Sequence, residues 1–126
     1  MRYFVAGTLL IAGLIHLLPS IGALSTSRLE MLYGIAVAEP NLEVLMRHRA
    51  FLFGILGVFF VVAAFTPALR GAAFAVGLAS VSSFVFLAWS ISGYNVQLSR
   101  VVTADILAFA LLLSGSAMHV LRQRDG

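Results

Sequence analysis

Residues 42–65 read LEVLMRHRAFLFGILGVFFVVAAF, and this stretch decides the fold. All of its charged side chains precede Ala50, and the positions from Ala50 to Phe65 carry none. The apolar residues are consecutive rather than alternating, which is not the pattern of a barrel strand. In hydrocarbon every backbone N–H and C=O group must pair internally, so an unbroken apolar stretch that crosses a bilayer forms a helix. The stretch therefore predicts a transmembrane helix, which Thr66 and Pro67 end.

The composition of the whole chain places this helix in a membrane protein. Hydrophobic residues make up 61% of the 126 residues and charged residues only 10%, with a mean hydropathy of +1.04. Soluble domains carry about 25% charged residues. A soluble fold of this size leaves a large fraction of its surface in water, so it cannot hide this much apolar surface. The solvent around the fold is therefore predicted to be lipid.

Three further stretches have the length and apolarity of spans, at about residues 3–24, 71–92 and 100–121. A span needs about 20 apolar residues to cross a hydrocarbon core of about 30 Å. The alternative for the first stretch, a cleaved secretory signal, has a shorter apolar core. Short links follow the second and third spans, which favours antiparallel neighbours. The sequence thus predicts one domain over residues 1–126, an all-α integral membrane four-helix bundle with up-and-down topology.

The one long connection, residues 25–39, joins the first two spans. Its apolar residues are Leu29, Met31, Leu32, Tyr33 and Ile35. A fully solvated loop rarely carries so many apolar side chains, so we expect a short interfacial helix or a flap that lies on the bundle. An irregular surface loop is the alternative. After this segment Pro40 suits the first turn of a helix, and Glu39 or Asn41 is its predicted cap.

Several classes of protein are excluded by residue types that the chain lacks. Cysteine is absent, so disulfides, thiolate metal sites and thiol redox chemistry are excluded. The eight basic residues are all arginine, and the net charge is +3. They form no dense run and no aromatic platform accompanies them, so nucleic acid is not an expected partner. The partner that the sequence predicts is the lipid bilayer, where arginines near helix ends set topology and contact headgroups.

Alternation of the spans defines two sides of the bundle. The first side holds the N-terminus, the turn between the second and third spans and the C-terminal tail, and its charged residues are Arg2, Arg70, Arg122, Arg124 and Asp125. Those of the second side are Arg28, Arg47, Arg49, Arg100, Glu30, Glu39, Glu43 and Asp105. The two sides have equal numbers of arginines, so the positive-inside rule alone does not decide the orientation. We expect the first side, with both termini, in the cytoplasm, because its arginines have almost no acidic partners.

The second side also carries the candidate site. Three of the four spans contribute an ionisable residue to this half of the membrane, whereas the other half is nearly pure hydrocarbon. A carboxylate within a span costs about 2.5–3.5 kcal/mol on insertion scales, so Asp105 is expected to face the bundle and to find a partner on another helix. We predict a polar pocket here for binding a ligand. Its candidate residues are His16, Glu43, Arg47, His48, Arg49, Trp89, Tyr94, Asn95, Arg100 and Asp105.

Most of these residues also have a plain structural interpretation. The arginines can extend to the lipid headgroups, and Glu43 with Arg47, four residues apart, can be a surface ion pair of little energy. Trp89 and Tyr94 fit the aromatic belt of a membrane protein. A neutral His16 can simply hydrogen-bond a neighbouring helix. The residue types alone do not separate these interpretations from a binding pocket.

A set of short segments carries a resemblance to a known group. They are Gly13-Leu-Ile-His16-Leu-Leu-Pro19, Leu32-Tyr-Gly-Ile35, Glu39-Pro-Asn-Leu42, Met46-Arg-His-Arg-Ala50 and Gly93-Tyr94-Asn95. With these the chain resembles short four-span bacterial membrane proteins of unassigned function, which are distantly similar to the DoxX-like superfamily. Such proteins are often catalogued as phosphopantetheine adenylyltransferase, but that enzyme is a soluble α/β domain with a His-x-Gly-His motif, and neither feature occurs here. The resemblance implies a location in the bacterial inner membrane and, through DoxX, a link to redox and quinone complexes. It supplies no catalytic residue.

Three classes of function are open at this point. The leading hypothesis is a binding or accessory protein, whose pocket holds a small amphipathic molecule such as a quinone or lipid, or which docks as a homodimer or beside larger membrane subunits. A second is a membrane enzyme or a metal or haem protein, with His16 and His48 as ligands and carboxylates to complete a metal shell. A third is a proton-coupled small transporter that relays protons through Asp105. No cofactor is identified by the sequence.

Overall fold

The computed structural model describes residues 1–124, and this part of the chain is helical without a β-strand. The α-helices are α1 (Arg2–Leu17), α2 (Thr26–Tyr33), α3 (Pro40–Phe65), α4 (Arg70–Ser90) and α5 (Val96–Arg124). A 3₁₀ segment, Leu18–Ala23, extends α1, and a second, Pro67–Leu69, precedes α4. With these extensions, four helical units are long and apolar enough to cross a membrane, each with a mean hydropathy of 1.9 to 2.0. The predicted all-α bundle of four membrane helices is confirmed, and the chain is a multi-pass membrane protein.

The helix ends differ from the predicted spans where a side chain caps the backbone. Glu39 caps α3, because its carboxylate accepts hydrogen bonds from the N–H groups of Asn41 and Leu42 at 3.0 and 2.9 Å. Asn95 caps α5 in the same way, since its Oδ1 accepts from the N–H of Leu98 at 2.8 Å. The last helix therefore begins at Val96, four residues before the predicted start at residue 100.

The four long helices are not packed equally. α1 makes its most extensive contacts with α3 and also packs against α5, while α4 packs mainly against α5. α3 and α4 are joined by a short turn, yet they contact each other far less than either contacts its other neighbour. The bundle is therefore closed on three sides and loosely packed between α3 and α4.

Small residues allow the close packing of α1 on α3. A Cβ atom built on Gly57 would lie 2.9 Å from the carbonyl oxygen of Gly13, and one on Gly13 would lie 3.1 Å from the carbonyl oxygen of Gly57. Lipid tails are as apolar as the side chains, so membrane helices associate through such close backbone approach. On α4, Ala73 and Gly77 are buried in the bundle, whereas the parallel row of Gly71, Ala75 and Ala79 is exposed.

Two hydrophobic cores hold the bundle together. The larger lies toward the first side and contains the fully buried Phe60, Phe74, Leu9 and Leu112. The smaller lies at the second side, where α2 packs on the 3₁₀ segment, α3 and α5. Its buried residues are Ala23, Leu29, Tyr33, Val37 and Ala50. The predicted short helix between the first two spans is thus present, and it covers the end of the bundle beside the candidate site.

Candidate functional site

The loose packing of α3 and α4 leaves a groove that is open along the side of the bundle. Its outer part, near the second side, has a cavity volume of about 630 Å³, and its deeper part has a volume of about 290 Å³. Arg49, Phe84 and Leu87 line both parts, so the two cavities adjoin at these residues. We call this space the α3–α4 groove. Its outer part is also lined by Tyr33, Tyr94 and Asn95, and its deeper part by Leu52, Phe53, Leu56, Ser80 and Ser83.

Arg49 is the only charged side chain that lines the described part of this groove. Its guanidinium carbon lies 4.7 Å from the centre of the Phe53 ring, 5.1 Å from that of Tyr33 and 5.2 Å from that of Phe84. Cation–π contacts of this kind contribute about 0.5 to 2 kcal/mol each, depending on exposure. Within residues 1–124 no carboxylate lies within 4.0 Å of this guanidinium, because the only ion pair there joins Arg47 to Glu43. Three aromatic rings rather than an acid thus hold the positive charge beside the groove.

Asn95 fixes the outer end of the groove. Its side-chain amide donates hydrogen bonds to the carbonyl oxygens of Tyr33 and Gly34, at 2.8 and 3.2 Å. The same side chain caps α5, so a single residue joins the end of α2 to the start of α5. Gly34 takes a positive φ of 65°, which ends α2 and turns the chain away. The outer end of the groove is therefore held by hydrogen bonds rather than by a flexible loop.

Tyr33 forms part of the groove wall from the α2 side. Its side chain is buried, at 4% exposure. Burial raises the pKa of the Tyr33 hydroxyl above its usual value, and the neighbouring positive charge of Arg49 offsets part of that effect. The phenol is therefore neutral at physiological pH and presents an uncharged O–H group close to the guanidinium.

Asp105 lies in a different cavity, on the opposite face of the bundle. It is 7% exposed and lines a space of about 310 Å³ between α1 and α5, together with Arg100. Arg49 is the charged neighbour whose field reaches its carboxylate, although the two groups are more than 4.0 Å apart. Arg100 is exposed, one and a half turns from Asp105 toward the helix start. Its burial matches the expectation that Asp105 faces the bundle, but within residues 1–124 no hydrogen bond or ion pair joins its carboxylate to another helix.

His16 is enclosed within the bundle. It is 2% exposed, and its ring packs edge-on against Phe60 at 5.0 Å and tilted against Phe53 at 5.7 Å. Its Nδ1 lies 2.8 Å from the carbonyl oxygen of Ala12. A carbonyl oxygen only accepts, so Nδ1 carries the hydrogen and donates it. His16 thus has the contacts of a histidine that packs in a core.

Glu43, Arg47 and His48 lie together on an outer face of α3. Glu43 and Arg47 form an ion pair at 3.0 Å, and the Arg47 Nε donates to the carbonyl oxygen of Ala23 at 3.0 Å. His48 is exposed and lines a shallow cavity with the other two. Trp89 stands apart from all of these, at 81% exposure, and contacts only the neighbouring Phe86 among aromatic residues of the described chain.

The ten candidate residues therefore fall into separate places. Arg49, Tyr94 and Asn95 share the α3–α4 groove, Arg100 and Asp105 share the cavity on the opposite face, and Glu43, Arg47 and His48 share the outer face of α3. His16 and Trp89 belong to none of these sets. Sequence reasoning missed Phe84, because phenylalanine occurs ten times in the chain and no pattern marks the one that faces Arg49. It noted Tyr33 only as an apolar residue of the linker.

A metal site does not emerge from the described residues. Within residues 1–124 no group of three His, Asp or Glu side chains is arranged to hold a metal ion. The two histidines considered as ligands have different surroundings, since His16 is enclosed by phenylalanines and His48 is exposed.

Comparisons with models of known protein families, with curated proteins and with solved structures find no match for this chain. The resemblance to short four-span proteins and to DoxX-like proteins therefore stays a prediction. What the protein binds is inferred from the side chains that line its own cavities.

Proposed function

We propose that this protein is a membrane-embedded binding protein whose α3–α4 groove holds a small amphipathic molecule, such as a quinone or a lipid. One observation carries the proposal: a single guanidinium, held by three aromatic rings, lines both parts of a groove whose other walls are mostly apolar. An apolar groove with one cation in it fits a ligand that has an apolar body and one polar end.

The size of the groove supports a ligand of this class. Sites for small molecules have volumes of roughly 300–1,000 Å³ and combine apolar walls with a few polar groups. The outer part, at about 630 Å³, lies within that range and contains Arg49, Tyr94 and Asn95. The deeper part adds about 290 Å³ beside Leu52, Leu56 and Ser80. We infer that the polar end lies beside Arg49 in the outer part and that the tail extends into the deeper part.

The length of the groove also suits a tail. Its lining on α4 runs from Ser80 to Ala88, which is about 12 Å at 1.5 Å per residue. A carbonyl, carboxylate or phosphate oxygen on the polar end would accept hydrogen bonds from the guanidinium, and bonds to a charged donor are the stronger kind. The groove opens sideways between two membrane helices, so a ligand would enter it from the lipid rather than from water.

We also propose the location and orientation of the protein. It would lie in the bacterial inner membrane with both termini in the cytoplasm, which puts the groove in the non-cytoplasmic half. The chain has no cysteine, so single cysteines can be introduced at Gly126 and at Ser92. In intact cells, an impermeant maleimide should label Ser92→Cys and leave Gly126→Cys unlabelled. The reverse labelling would contradict the orientation.

The binding proposal is tested by the molecules that the protein retains. The protein would be purified gently, and its bound small molecules would be identified and counted by mass spectrometry. Arg49→Gln removes the guanidinium, whereas the control Arg28→Gln removes an exposed arginine of α2 outside the groove. A hydrogen bond to a charged group contributes about 1.5–3 kcal/mol, so Arg49→Gln should retain roughly tenfold to hundredfold less ligand, and the control should match wild type.

Two outcomes would contradict the proposal. Equal retention by Arg49→Gln and Arg28→Gln would mean that Arg49 does not hold the ligand. Co-purification of a larger membrane subunit without any small amphiphile would instead support the alternative, an accessory protein that docks through its surface.

A further inference from the structure

We propose a second binding site, at the first side of the bundle, in which Arg2, Arg70 and Arg122 hold the phosphate of an anionic phospholipid. This site lies at the opposite end of the bundle from the α3–α4 groove and does not depend on the function proposed for that groove.

Helix geometry brings the three arginines together. Arg70 is the first residue of α4, and a Cβ atom on the next residue, Gly71, would lie 3.8 Å from the Nε2 of His119 on α5. Arg122 lies three residues after His119, one turn farther along the same face of α5. Arg2 lies one turn before Val5, which is 1% exposed and belongs to the same core as Phe74 of α4. The inward faces of three helices thus each end in an arginine.

Arg70 is the fixed member of the set. It is 4% exposed, and its Nε and Nη2 donate to the carbonyl oxygens of Ala63 and Ala64 at 3.4 and 2.6 Å. These carbonyls belong to the last turn of α3, where helix ends carry partial negative charge. They hold the guanidinium in place, while its charged neighbours Arg2 and Arg122 are exposed. The buried charge is therefore oriented before any ligand arrives.

The charge at this end is unbalanced within the described residues. Arg122 and Arg2 are charged neighbours of Arg70, and both are positive. The four acidic residues of the described chain, Glu30, Glu39, Glu43 and Asp105, all lie toward the other side of the bundle. Two helix N-termini, those of α1 and α4, also point to this end, and neither has a side-chain cap. Helix N-termini and clustered guanidinium groups both favour an anion, and phosphate suits them best.

A lipid is the source of phosphate that this position favours. The site lies where two membrane helices begin and two others end, which is the depth of the headgroups in a bilayer. Clustered arginines at this depth attract the headgroup of an anionic lipid. A fixed, buried guanidinium with two exposed ones as its charged neighbours gives the phosphate a defined place rather than a diffuse attraction. We therefore assign the site to an anionic glycerophospholipid and not to free phosphate.

The experiment uses native mass spectrometry on the full chain in detergent. Dioleoylphosphatidylglycerol and dioleoylphosphatidylcholine are added in equal amounts, and the bound molecules of each are counted. The test variant is Arg2→Gln with Arg122→Gln, which leaves the buried Arg70 and its hydrogen bonds intact. The matched control, Arg28→Gln with Arg100→Gln, removes two exposed arginines at the other end.

Wild type and the control should prefer phosphatidylglycerol to the same extent. The test variant should lose this preference by roughly thirtyfold, which corresponds to about 2 kcal/mol for two arginines. An equal preference in the test and control variants would overturn the site. Displacement of phosphatidylglycerol by an equimolar amount of inorganic phosphate would overturn the assignment to a lipid. If the test variant still retains the ligand of the α3–α4 groove, the lost preference for phosphatidylglycerol is specific to the site at the first side.

Discussion

The two faces of α3 meet their neighbours in opposite ways. On the α1 side, Gly57 and Gly13 approach so closely that a Cβ atom on Gly57 would lie 2.9 Å from a backbone oxygen. On the α4 side, Arg49 and Phe53 face Phe84, and the helices remain apart around the groove. One helix thus forms both a close backbone contact and a wide groove.

The difference shows how residue size sets the shape of a membrane bundle. Lipid provides no hydrophobic force that pulls helices together, so close contact requires glycine or alanine at the crossing. Where aromatic and arginine side chains face each other instead, the backbones cannot approach. The large side chains that keep α3 and α4 apart include Arg49, which is also the charged group of the α3–α4 groove. In this protein the same side chains therefore produce both the α3–α4 groove and the candidate site.

The largest effect is expected when the close contact between α1 and α3 is forced apart. Gly57→Val places atoms against the backbone of α1, which cannot move aside as a side chain can. Overpacking of this kind costs about 1–3 kcal/mol, and thermal denaturation in detergent should show a correspondingly lower midpoint. Gly7→Val is the control, because a Cβ atom at Gly7 meets nothing within 4 Å. If both variants unfold at the same temperature, the backbones of α1 and α3 do not approach closely at Gly57.

A smaller effect is expected at the outer end of the α3–α4 groove. Asn95→Ala removes the α5 cap and two hydrogen bonds to the end of α2. We expect a loss of stability of roughly 1–2 kcal/mol and faster hydrogen exchange in α2. Ser92→Ala, an exposed serine of the same connection, should leave both properties unchanged. Unaltered exchange in Asn95→Ala would show that α2 is held by its apolar contacts alone.

The smallest effect depends on pH and involves the tyrosine wall of the groove. Burial raises the folded-state pKa of Tyr33 above its usual value of 10.0, with a partial offset from Arg49. The folded state therefore keeps the proton longer than the unfolded state, and the stability linked to it is full below pH 10 and is lost as the pH rises through the folded pKa. Above pH 10 wild type should lose stability faster than Tyr33→Phe, measured by chemical denaturation. Parallel curves would indicate that the hydroxyl is solvated in the folded protein.

Much of the fold could be predicted from the sequence, because the length of an apolar stretch sets whether it crosses a bilayer. The boundary between the third and fourth spans is predicted less well. The predicted spans leave residues 93–99 as a link, whereas Asn95 caps the next helix and moves its start to Val96. A short polar residue fits either a turn or a cap, and only the fold decides between them.

The candidate site could be predicted as a region but not as a pocket. Consecutive residues on a helix point about 100° apart, so Arg49 faces the groove while Arg47 and His48 lie on the outer face of α3, even though the three are adjacent in the chain. Which direction faces a cavity depends on α4, whose Phe84 approaches Arg49 only through tertiary packing. Asp105 shares the depth of Arg49 yet lines a different cavity. The sequence indicates depth in the membrane, and the packing of the bundle then determines the face.

The most direct test for a ligand in the α3–α4 groove is to fill the groove with a larger side chain and to count the retained ligand. Ser83 lines the deeper part of the groove, while Ser82, its exposed neighbour, does not. Ser83→Trp should occupy the space that the tail of the ligand needs, so mass spectrometry should find at least about tenfold less bound amphiphile, given that a factor of ten requires only about 1.4 kcal/mol. Ser82→Trp should retain as much as wild type. Equal retention by the two variants, or no amphiphile bound to wild type, would contradict a ligand in the α3–α4 groove.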